Sequence, residues 1–246
     1  MSTVLILGAT SDMAIAIAKE FASHNYNVQL AARKPDQLKA LQSDLSVRYN
    51  AQSTLHYFDA LDYSSHRNFF ESLDPKPDVT ISVFGLLGEA EKARTDWNEA
   101  LRIIQSNYVG AVSILDIVAN HYASQKRGTI VGISSVAGER GRQSNYHYGS
   151  AKAGFTAYLS GLRNRLYHEG VHVMTVQPGF TNTRMTENLK LPPLVTGEPK
   201  DVAQAVYRGV KNKTNVIYVK WMWRWIMFLI RTIPESMFKK MKISKV

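Results

Sequence analysis

The sequence of 246 residues contains no cysteine. This absence excludes disulfide bonds, thiolate nucleophiles and zinc sites built on Cys ligands. The seven histidines are the remaining strong metal ligands, and we predict no metal site. The chemistry of the chain must therefore come from hydroxyl groups, lysine, histidine or a bound cofactor.

Acidic residues are scarce towards the C-terminus. Residues 211–246 hold nine Lys and Arg against one Glu, whereas residues 1–210 hold 21 against 19. A nucleic-acid-binding domain usually carries its basic face on the folded body, so we expect no nucleic-acid partner. The basic tail favours contact with an anionic membrane surface instead. The start, "MSTVLILG", shows no basic segment or cleavage site, so we expect no secretory signal and a cytoplasmic location, peripheral on the inner face of the cell membrane.

Apolar, β-branched segments alternate with longer amphipathic ones, which predicts βαβ units and a parallel sheet in one α/β domain. The predicted strands lie near 3–8, 27–32, 54–58, 78–84, 128–134, 171–176 and 215–219. The predicted helices cover about 12–24, 35–48, 64–72, 97–124, 146–169 and 199–211, with 97–124 as one long helix. The Pro- and Gly-rich segment 189–200 is either a substrate lid or a plain surface loop.

The stretch "VLILGATSDMAIAIAKEF" predicts a strand, a tight turn and a helix, which is the context of a dinucleotide-binding turn. Gly8 ends the strand, and backbone N–H groups at the helix start can hold a diphosphate. Asp12 and Ala14 stand where a GxxxGxG pattern has its second and third glycines. The carboxylate of Asp12 must therefore point away from the diphosphate or cap the helix.

The second predicted strand ends without an acidic residue and continues into Arg33 and Lys34. An acidic residue here would bind the 2′-hydroxyl of NAD, whereas cations accommodate the 2′-phosphate of NADP. The sequence therefore favours NADP(H), although two solvated cations at a strand end are the simpler alternative. Asp59 ends the third strand, where it can meet the adenine.

The pair Tyr148 and Lys152 has a spacing that also occurs at Tyr122 with Lys126 and at Tyr207 with Lys211. Only the first pair has a serine 13 residues before its tyrosine, at the end of the strand "GTIVGISS". That residue is Ser135, and the equivalent positions before the other tyrosines hold Val109 and Leu194. Upstream, Asn107 lies in the middle of the predicted long helix, where an Asn is unfavourable and therefore indicates a structural or functional role.

This ordered set of motifs resembles the short-chain dehydrogenase/reductase family over nearly the whole chain. The resemblance implies a Rossmann-type doubly wound sheet with helices on both faces over residues 1–219, a helical tail over 220–246, and frequent homo-oligomers. It implies the catalytic residues Asn107, Ser135, Tyr148 and Lys152. The implied cofactor-binding residues are Gly8, Thr10, Ser11, Asp12, Met13, Arg33, Lys34, Asp59, Ala60, Gly85, Tyr148, Lys152, Pro178, Gly179 and Thr181.

The resemblance also implies roles. The ammonium of Lys152 would lower the pKa of Tyr148, which exchanges a proton with the substrate oxygen. Ser135 would hold that oxygen, and Asn107 would anchor a water that relays protons. One departure is "SVFG", residues 82–85, which keeps only Gly85 of the family's Asn-Asn-Ala-Gly stretch.

Three segments resemble the subgroup that reduces decaprenylphosphoryl-2-keto-pentose: "VFGLLGEAEKA", "SSVAGERGRQSNYHYGSAKAG" and "WRWIMFLIRTIPESMFKKM". This resemblance implies a lipid-linked keto-sugar substrate and a partner flavoprotein oxidase in ribose-to-arabinose epimerisation. The alternatives are a reductase of another lipophilic ketone, such as a ketoacyl or steroid-like compound, and a non-catalytic nucleotide-binding protein. Arg140 and Arg142 are either contacts for a substrate phosphate or solvated loop cations.

The segment "KWMWRWIMFLIR", residues 220–231, holds three of the four tryptophans. At 100° per residue its cations Lys220, Arg224 and Arg231 form one stripe on an otherwise apolar helix. The segment is too short to span a bilayer, so it predicts an interfacial helix, supported by the lysines 239, 240, 242 and 245. A helix packed on the body or in a dimer interface is the alternative.

Overall fold

The strands of this chain form one sheet in the computed structural model, which describes residues 1–187 and 190–241. They are β1 (Thr3–Leu7), β2 (Asn27–Ala32), β3 (Ser53–Tyr57), β4 (Val79–Ser82), β5 (Thr129–Ile133), β6 (His172–Pro178) and β7 (Val216–Val219). All pair in parallel, in the order β3-β2-β1-β4-β5-β6-β7. The order reverses between β1 and β4, and such a reversal opens a ligand crevice at the carboxyl ends of the strands.

Helices connect the strands and cover both faces of the sheet. They are α1 (Asp12–Ala22), α2 (Lys39–Tyr49), α3 (His66–Ser72), α4 (Ala90–Ala93), α5 (Trp97–Ile104), α6 (Gly110–Gln125), α7 (Tyr146–Leu166), α8 (Pro199–Lys211), α9 (Met222–Thr232) and α10 (Glu235–Phe238). The predicted doubly wound α/β fold is therefore confirmed.

The side chains of β1 show why this sheet needs two helical layers. Val4 and Ile6 join the core cluster that contains residues of α1, α2 and α8. Leu5 and Leu7 point the other way, into the cluster with α3, α6 and α7. A parallel strand that is buried on both faces is a nearly continuous apolar run, and all five residues of β1 are buried, with Thr3 the one polar residue among them.

The predicted long helix over 97–124 is present as the helical stretch Trp97–Gln125, but it is not α-helical throughout. The stretch widens to a π-helical turn at Gln105–Val109, between α5 and α6. Asn107 lies in this turn, and its side-chain Nδ2 donates to the carbonyl oxygen of Ile103 at 2.8 Å. Among the described residues, Trp97–Gln125 is the one helical stretch long and apolar enough to cross a membrane. A core helix passes the same test, and α6 buries Ile114, Leu115 and Val118 in this fold.

Candidate active site

The side chain of Asn107 ties the π turn to the loop after β4. It is 1% exposed. Its Nδ2 donates to the carbonyl oxygens of Ile103 at 2.8 Å and Leu86 at 2.6 Å, and its Oδ1 accepts from Leu86 N at 3.2 Å. Both amide hydrogens are therefore used within the chain. A proton-relay water, if bound, has only the remaining acceptor site of Oδ1.

Two adjacent serines end β5 with different surroundings. The hydroxyl of Ser134 donates to the carbonyl oxygen of Lys152 at 3.0 Å and bonds Thr156 Oγ1 at 2.6 Å, which ties β5 to α7. Ser135 Oγ accepts from Ala137 N at 3.1 Å and caps a short 3₁₀ turn. The Ser135 hydroxyl also interacts with Tyr148, where it favours a lower pKa. Ser134 is thus structural, and Ser135 is available to a substrate oxygen.

Lys152 is a cation buried in the crevice, with 4% of its surface exposed. Its Nζ donates to the carbonyl oxygen of Ile133 at 3.0 Å, which leaves two N–H groups without an acceptor among the described residues. Burial lowers the pKa of Lys152 to about 8. A Cβ added to Gly85 would lie 3.3 Å from this Nζ and 2.6 Å from Asn107 Oδ1. Glycine is required there because two polar side chains converge on it.

The pKa of Tyr148 does not follow the sequence-based expectation. Burial raises the pKa of Tyr148 to about 12, and the contact with Ser135 opposes only part of that rise. Lys152 Nζ lies 5.8 Å from the centre of the Tyr148 ring, and its hydrogen bond goes to Ile133. Burial therefore dominates, and the net shift of the Tyr148 pKa is upward, opposite to the expected direction. A tyrosine that keeps its proton at neutral pH suits ketone reduction, in which the substrate oxygen must receive one.

The other two Tyr-Lys pairs are structural, as the missing serines indicated. Tyr122 is fully enclosed in the core, where its hydroxyl bonds Thr80 Oγ1 at 2.8 Å. Tyr207 stacks on His24 with ring centres 3.7 Å apart, on the outside of α8. Neither hydroxyl reaches the crevice.

A cavity of about 420 Å³ lies at the sheet reversal. Nine of the predicted cofactor-binding residues line it: Gly8, Thr10, Ser11, Asp12, Met13, Arg33, Asp59, Ala60 and Gly85. Lys34, Tyr148, Lys152, Pro178, Gly179 and Thr181 do not, and their cofactor contacts stay predictions. Sequence reasoning missed other lining residues, among them Phe84, Arg102, Ser106, Thr183, Arg184 and Met185.

The glycine turn keeps one conformation that only glycine accepts readily. Gly8 has a φ of +87°, and a Cβ there would lie 2.7 Å from Phe84 Cβ. Phe84 belongs to the altered "SVFG" stretch, and this residue packs directly on the turn. Ser11 caps α1 by accepting from Ala14 N at 3.2 Å. The backbone geometry of a diphosphate cradle is thus retained despite the substitutions.

Asp12 is neutralised by an arginine from the far side of the crevice. Its carboxylate oxygens accept from Arg184 N at 2.8 Å and from Arg184 Nε at 2.9 Å. The guanidinium of Arg184 also donates to the carbonyl oxygen of Thr10, at the same turn. Asp12 therefore does not cap the helix, and its charge is paired before an anionic cofactor arrives. The acidic residue in the turn was the only sequence signal that such a cation was needed.

Of the two cations after β2, only Arg33 lines the cavity. Arg33 and Lys34 are exposed, and neither forms an ion pair within the described part of the chain. Arg33 lines the cavity beside Ala32. In the loop after β3, Asp59 Oδ1 accepts from Leu61 N at 3.0 Å, which fixes the carboxylate at the cavity edge.

The segment after β6 is covered by the C-terminal helix. A Cβ on Gly179 would lie 1.9 Å from Trp223 Nε1, so the indole of α9 packs directly on this glycine. Trp223 Nε1 donates to the carbonyl oxygen of Val195 at 2.9 Å. Phe180 O accepts from Gly197 N at 2.8 Å, next to a β-bridge of Thr181 with Gly197. The segment 189–200, predicted as a lid or a surface loop, is described from residue 190 onward. This described part is anchored on the loop after β6 and on α9.

Arg140 and Arg142 contact the C-terminal helices rather than open solvent. Arg140 Nη2 pairs with Glu235 at 2.7 Å, and its guanidinium lies 4.1 Å from the centre of the Phe238 ring. Arg142 Nη2 lies 3.5 Å from Met227 Sδ. The alternative of solvated loop cations is therefore wrong for both, and a phosphate would have to compete with Glu235 for Arg140.

The stretch "HEGVH", residues 168–172, has the HExxH spacing of a helical zinc site. The structure separates its histidines: Tyr167–Glu169 is a 3₁₀ turn, Gly170 has a φ of +71° and His172 begins β6. His172 Nε2 hydrogen-bonds Thr214 O at 3.1 Å. Within residues 1–187 and 190–241 no group of three or more His, Asp or Glu is placed to hold a metal.

Comparisons with known proteins show the family of this chain. The profile of the family described as short chain dehydrogenase matches residues 2–193. The chain belongs to the short-chain dehydrogenase/reductase family, and it is an oxidoreductase that reduces carbonyl groups with a nicotinamide cofactor. It is similar to an uncharacterized oxidoreductase of Mycobacterium tuberculosis, with 34% identity over 241 residues, 97% of this chain and 96% of the relative.

Two solved structures share the fold. A short-chain dehydrogenase from Sphingobium yanoikuyae in complex with NADPH has a TM-score of 0.82 at 22% identity, covering 96% of this chain and 98% of that one. The bulky-bulky ketone specific alcohol dehydrogenase from Comamonas testosteroni has a TM-score of 0.79 at 22% identity, with 96% of both chains covered. At this identity the likeness establishes the architecture.

The residues present fit a nicotinamide dinucleotide. Gly8 leaves the turn open, Asp12 is neutralised, and the buried Lys152 offers two free N–H donors for ribose hydroxyls. A bound cofactor would supply the hydride. Ser135 would hold the substrate oxygen by a hydrogen bond, and Tyr148 Oη would give that oxygen its proton. The charge of Lys152 favours the phenolate that remains on Tyr148, because a neighbouring cation stabilises an anion in a buried site.

Removing the hydroxyl of Tyr148 tests this assignment. We expect Tyr148→Phe to lower kcat by about 10²- to 10⁴-fold, because the proton donor is lost while the ring packing remains. NADPH binding, followed by fluorescence titration, should change little. The matched control is Tyr207→Phe, which has a lysine at the same spacing and should keep normal turnover. Normal turnover of Tyr148→Phe would reject the assignment.

The depressed pKa of Lys152 predicts a pH dependence. The ammonium is charged below about pH 8 and neutral above it, whereas Tyr148 stays protonated throughout this range. We therefore expect kcat/KM for ketone reduction to fall as the pH rises through about 8, with a single descending limb in the profile. The measurement is a rate profile from about pH 6 to pH 10. Lys152→Arg, which keeps its charge, should lose that limb; an unchanged limb would assign it to another group.

The pair Asp12–Arg184 predicts a double-mutant rescue. In Arg184→Gln the carboxylate of Asp12 is left unpaired beside the diphosphate site, so the KM for NADPH should rise roughly tenfold. Adding Asp12→Asn removes the repulsion and should restore most of the affinity. Arg208→Gln, at an exposed arginine on α8, is the control. If the double variant binds NADPH as poorly as Arg184→Gln, the arginine acts on the cofactor directly and Asp12 does not matter.

Proposed function

We propose that this protein uses NADPH to reduce the 2-keto group of a polyprenyl-phosphoryl pentose, completing an epimerisation of ribose to arabinose. A partner flavoprotein oxidase would supply the keto sugar. The observation that carries the proposal is an apolar wall immediately after Ser135. Val136 packs with Trp223 and Met227 of α9, and with Phe180 and Val195 around them. Val136, Trp223 and Met227 are buried, whereas Phe180 and Val195 at the edge of the wall are only half-buried, and these two would give a lipid chain leaving the reacting carbonyl apolar surface to follow.

Polar groups near the same wall support a sugar rather than a plain hydrocarbon ketone. Between Ser135 and Tyr148, the buried atoms Arg142 Nε and Asn145 Oδ1 have no hydrogen-bond partner in the described structure, whereas Glu139 is paired with Arg231 at 3.5 Å. Buried polar atoms normally have partners, supplied by protein, water or ligand. A substrate rich in hydroxyl groups offers such partners, whereas a steroid-like or acyl ketone offers few.

The second candidate is a reductase of another lipophilic ketone, such as a ketoacyl or steroid-like compound. The same apolar wall favours it, and one structural neighbour is specific for bulky-bulky ketones. The two candidates differ in what the unpartnered polar atoms meet.

The test supplies polyprenyl-phosphoryl 2-keto-pentose, made in place by a flavoprotein oxidase, to the purified protein. NADPH and NADH consumption are followed in parallel, and the lipid-linked sugar is identified; Tyr148→Phe is the inactive control. Arabinosyl lipid formed with NADPH supports the proposal. Reduction of simple lipophilic ketones without any reduction of the sugar lipid would reject it in favour of the second candidate.

The NADPH preference has its own test. Replacing Arg33 and Lys34 by alanine removes two cations with no partner in the described residues at the end of β2. We expect the KM for NADPH to rise about tenfold to a hundredfold, as charge-assisted hydrogen bonds to the 2′-phosphate are lost. The KM for NADH should hardly change. Arg67→Ala, at an exposed arginine on α3, is the control, and an equal effect on both cofactors would show that these cations do not select NADP.

A further inference from the structure

The helix α9 has two apolar faces, and the body of the protein covers only one. The inner face buries Trp223 and Met227, with Ile226 and Ile230 packed beside them. These residues contact Val136, which follows Ser135 directly. The helix therefore packs on the domain through this inner face.

The second apolar face of α9, here called the outer face, consists of Trp221, Trp225, Phe228 and Leu229. Their spacing of 4, 7 and 8 residues puts them on one side of a helix. Each is more than half exposed, with values from 57% to 72%. Met237 and Met241, in and after α10, are also exposed, at 61% and 46%. Contiguous exposed apolar surface of this kind marks an interaction site.

The charges around the outer face are positive. Arg224, Lys239 and Lys240 are exposed, and they make no ion pair with any residue in 1–187 or 190–241. Glu235, the single acidic residue among positions 211–246, is already paired with Arg140. Arg231 lies 3.5 Å from the buried Glu139. Lys242 and Lys245, also predicted to contribute, lie outside the described residues.

We propose that the outer face of α9 docks on the surface of an anionic lipid bilayer, with the tryptophans at headgroup depth and the cations on the lipid phosphates. The 11-residue helix is about 16 Å long, so it lies along the surface and cannot cross a hydrocarbon core of about 30 Å. This docking does not depend on which ketone is reduced. Its effect is to bring the apolar wall next to Ser135 to the membrane, because both faces belong to one helix.

A second copy of the chain is a less suitable occupant of this surface. Pairing two outer faces would bring Arg224, Lys239 and Lys240 of one copy near the same cations of the other, with no free carboxylate in the described part of the tail to offset them. Like charges brought together at an interface oppose association. An anionic bilayer supplies both the apolar depth and the opposite charge.

The test measures cosedimentation of the full chain with vesicles in the absence of substrate. Phosphatidylcholine vesicles with about one third phosphatidylglycerol should bind the protein at low salt, and pure phosphatidylcholine should bind it weakly. Raising salt to about 0.5 M should weaken binding, because screening shortens the range of charge attraction. If the protein does not cosediment with anionic vesicles under any of these conditions, the proposal is wrong.

Two sets of variants separate the apolar and the charged contributions. Trp225→Ser with Phe228→Ser, and separately Arg224→Gln with Lys239→Gln and Lys240→Gln, should each weaken binding to anionic vesicles about tenfold or more. The matched controls are Trp97→Ser, at a tryptophan that is 66% exposed on α5, and the triple change of Lys92, Lys200 and Lys211 to Gln. Both controls should bind as the unchanged protein does.

Two further readouts keep the outcomes distinct. Turnover of a water-soluble ketone should be unaffected by the outer-face changes, which shows that the variants are folded. The oligomeric state is measured by analytical ultracentrifugation. If Trp225→Ser with Phe228→Ser converts a dimer to a monomer and leaves vesicle binding unchanged, the surface belongs to a second copy and the proposal is wrong. Failure of the sugar-lipid assay would leave this result untouched.

Discussion

The ammonium of Lys152, held almost entirely out of water, governs the layout of the active site. A buried cation is costly unless hydrogen bonds compensate for its lost hydration, and the carbonyl oxygen of Ile133 compensates only in part. Its surroundings are therefore arranged around it: Gly85 leaves space, Asn107 fixes the loop that carries Gly85, and Tyr148 packs one helical turn earlier on α7. The same lack of water that lowers the pKa of Lys152 raises that of Tyr148, so both groups favour their neutral forms.

Two contacts across long stretches of sequence join the chain's last third to the catalytic edge of the sheet. Arg184 pairs with Asp12 on the cofactor side of the crevice, and Trp223 packs on Gly179 on the substrate side. Each contact compensates for a local feature that would otherwise be unfavourable: an acidic side chain at a diphosphate site in the first case, a loop with little secondary structure in the second. The C-terminal helices are consequently part of the active-site architecture.

Local pattern was enough to predict the strands, the order of motifs and the choice of Tyr148 over Tyr122 and Tyr207, because periodicity and fixed spacing depend on near neighbours. It was not enough for the π turn at Asn107, whose side chain hydrogen-bonds Leu86, 21 residues away in the loop after β4. Nor did it place Arg184 or explain Arg140, whose partners lie 172 and 95 residues away. The direction of the Tyr148 pKa shift depends on burial, which local pattern does not show. The HExxH spacing of "HEGVH" is not a metal site here, because Gly170 ends the helical turn between the two histidines.

The packing of Trp223 on Gly179 also bears on the order in which the protein is made and folded. All seven strands, the glycine turn and the tetrad precede Trp223 in the chain. A domain generally folds as one unit, and α9 follows the last strand directly, so the wall beside Ser135 is completed only when the end of the chain is available. A chain that stopped before Trp223 would keep every strand but leave Val136 and Phe180 without the apolar residues that cover them. The last helix thus closes an apolar surface that the sheet and its other helices cannot close by themselves.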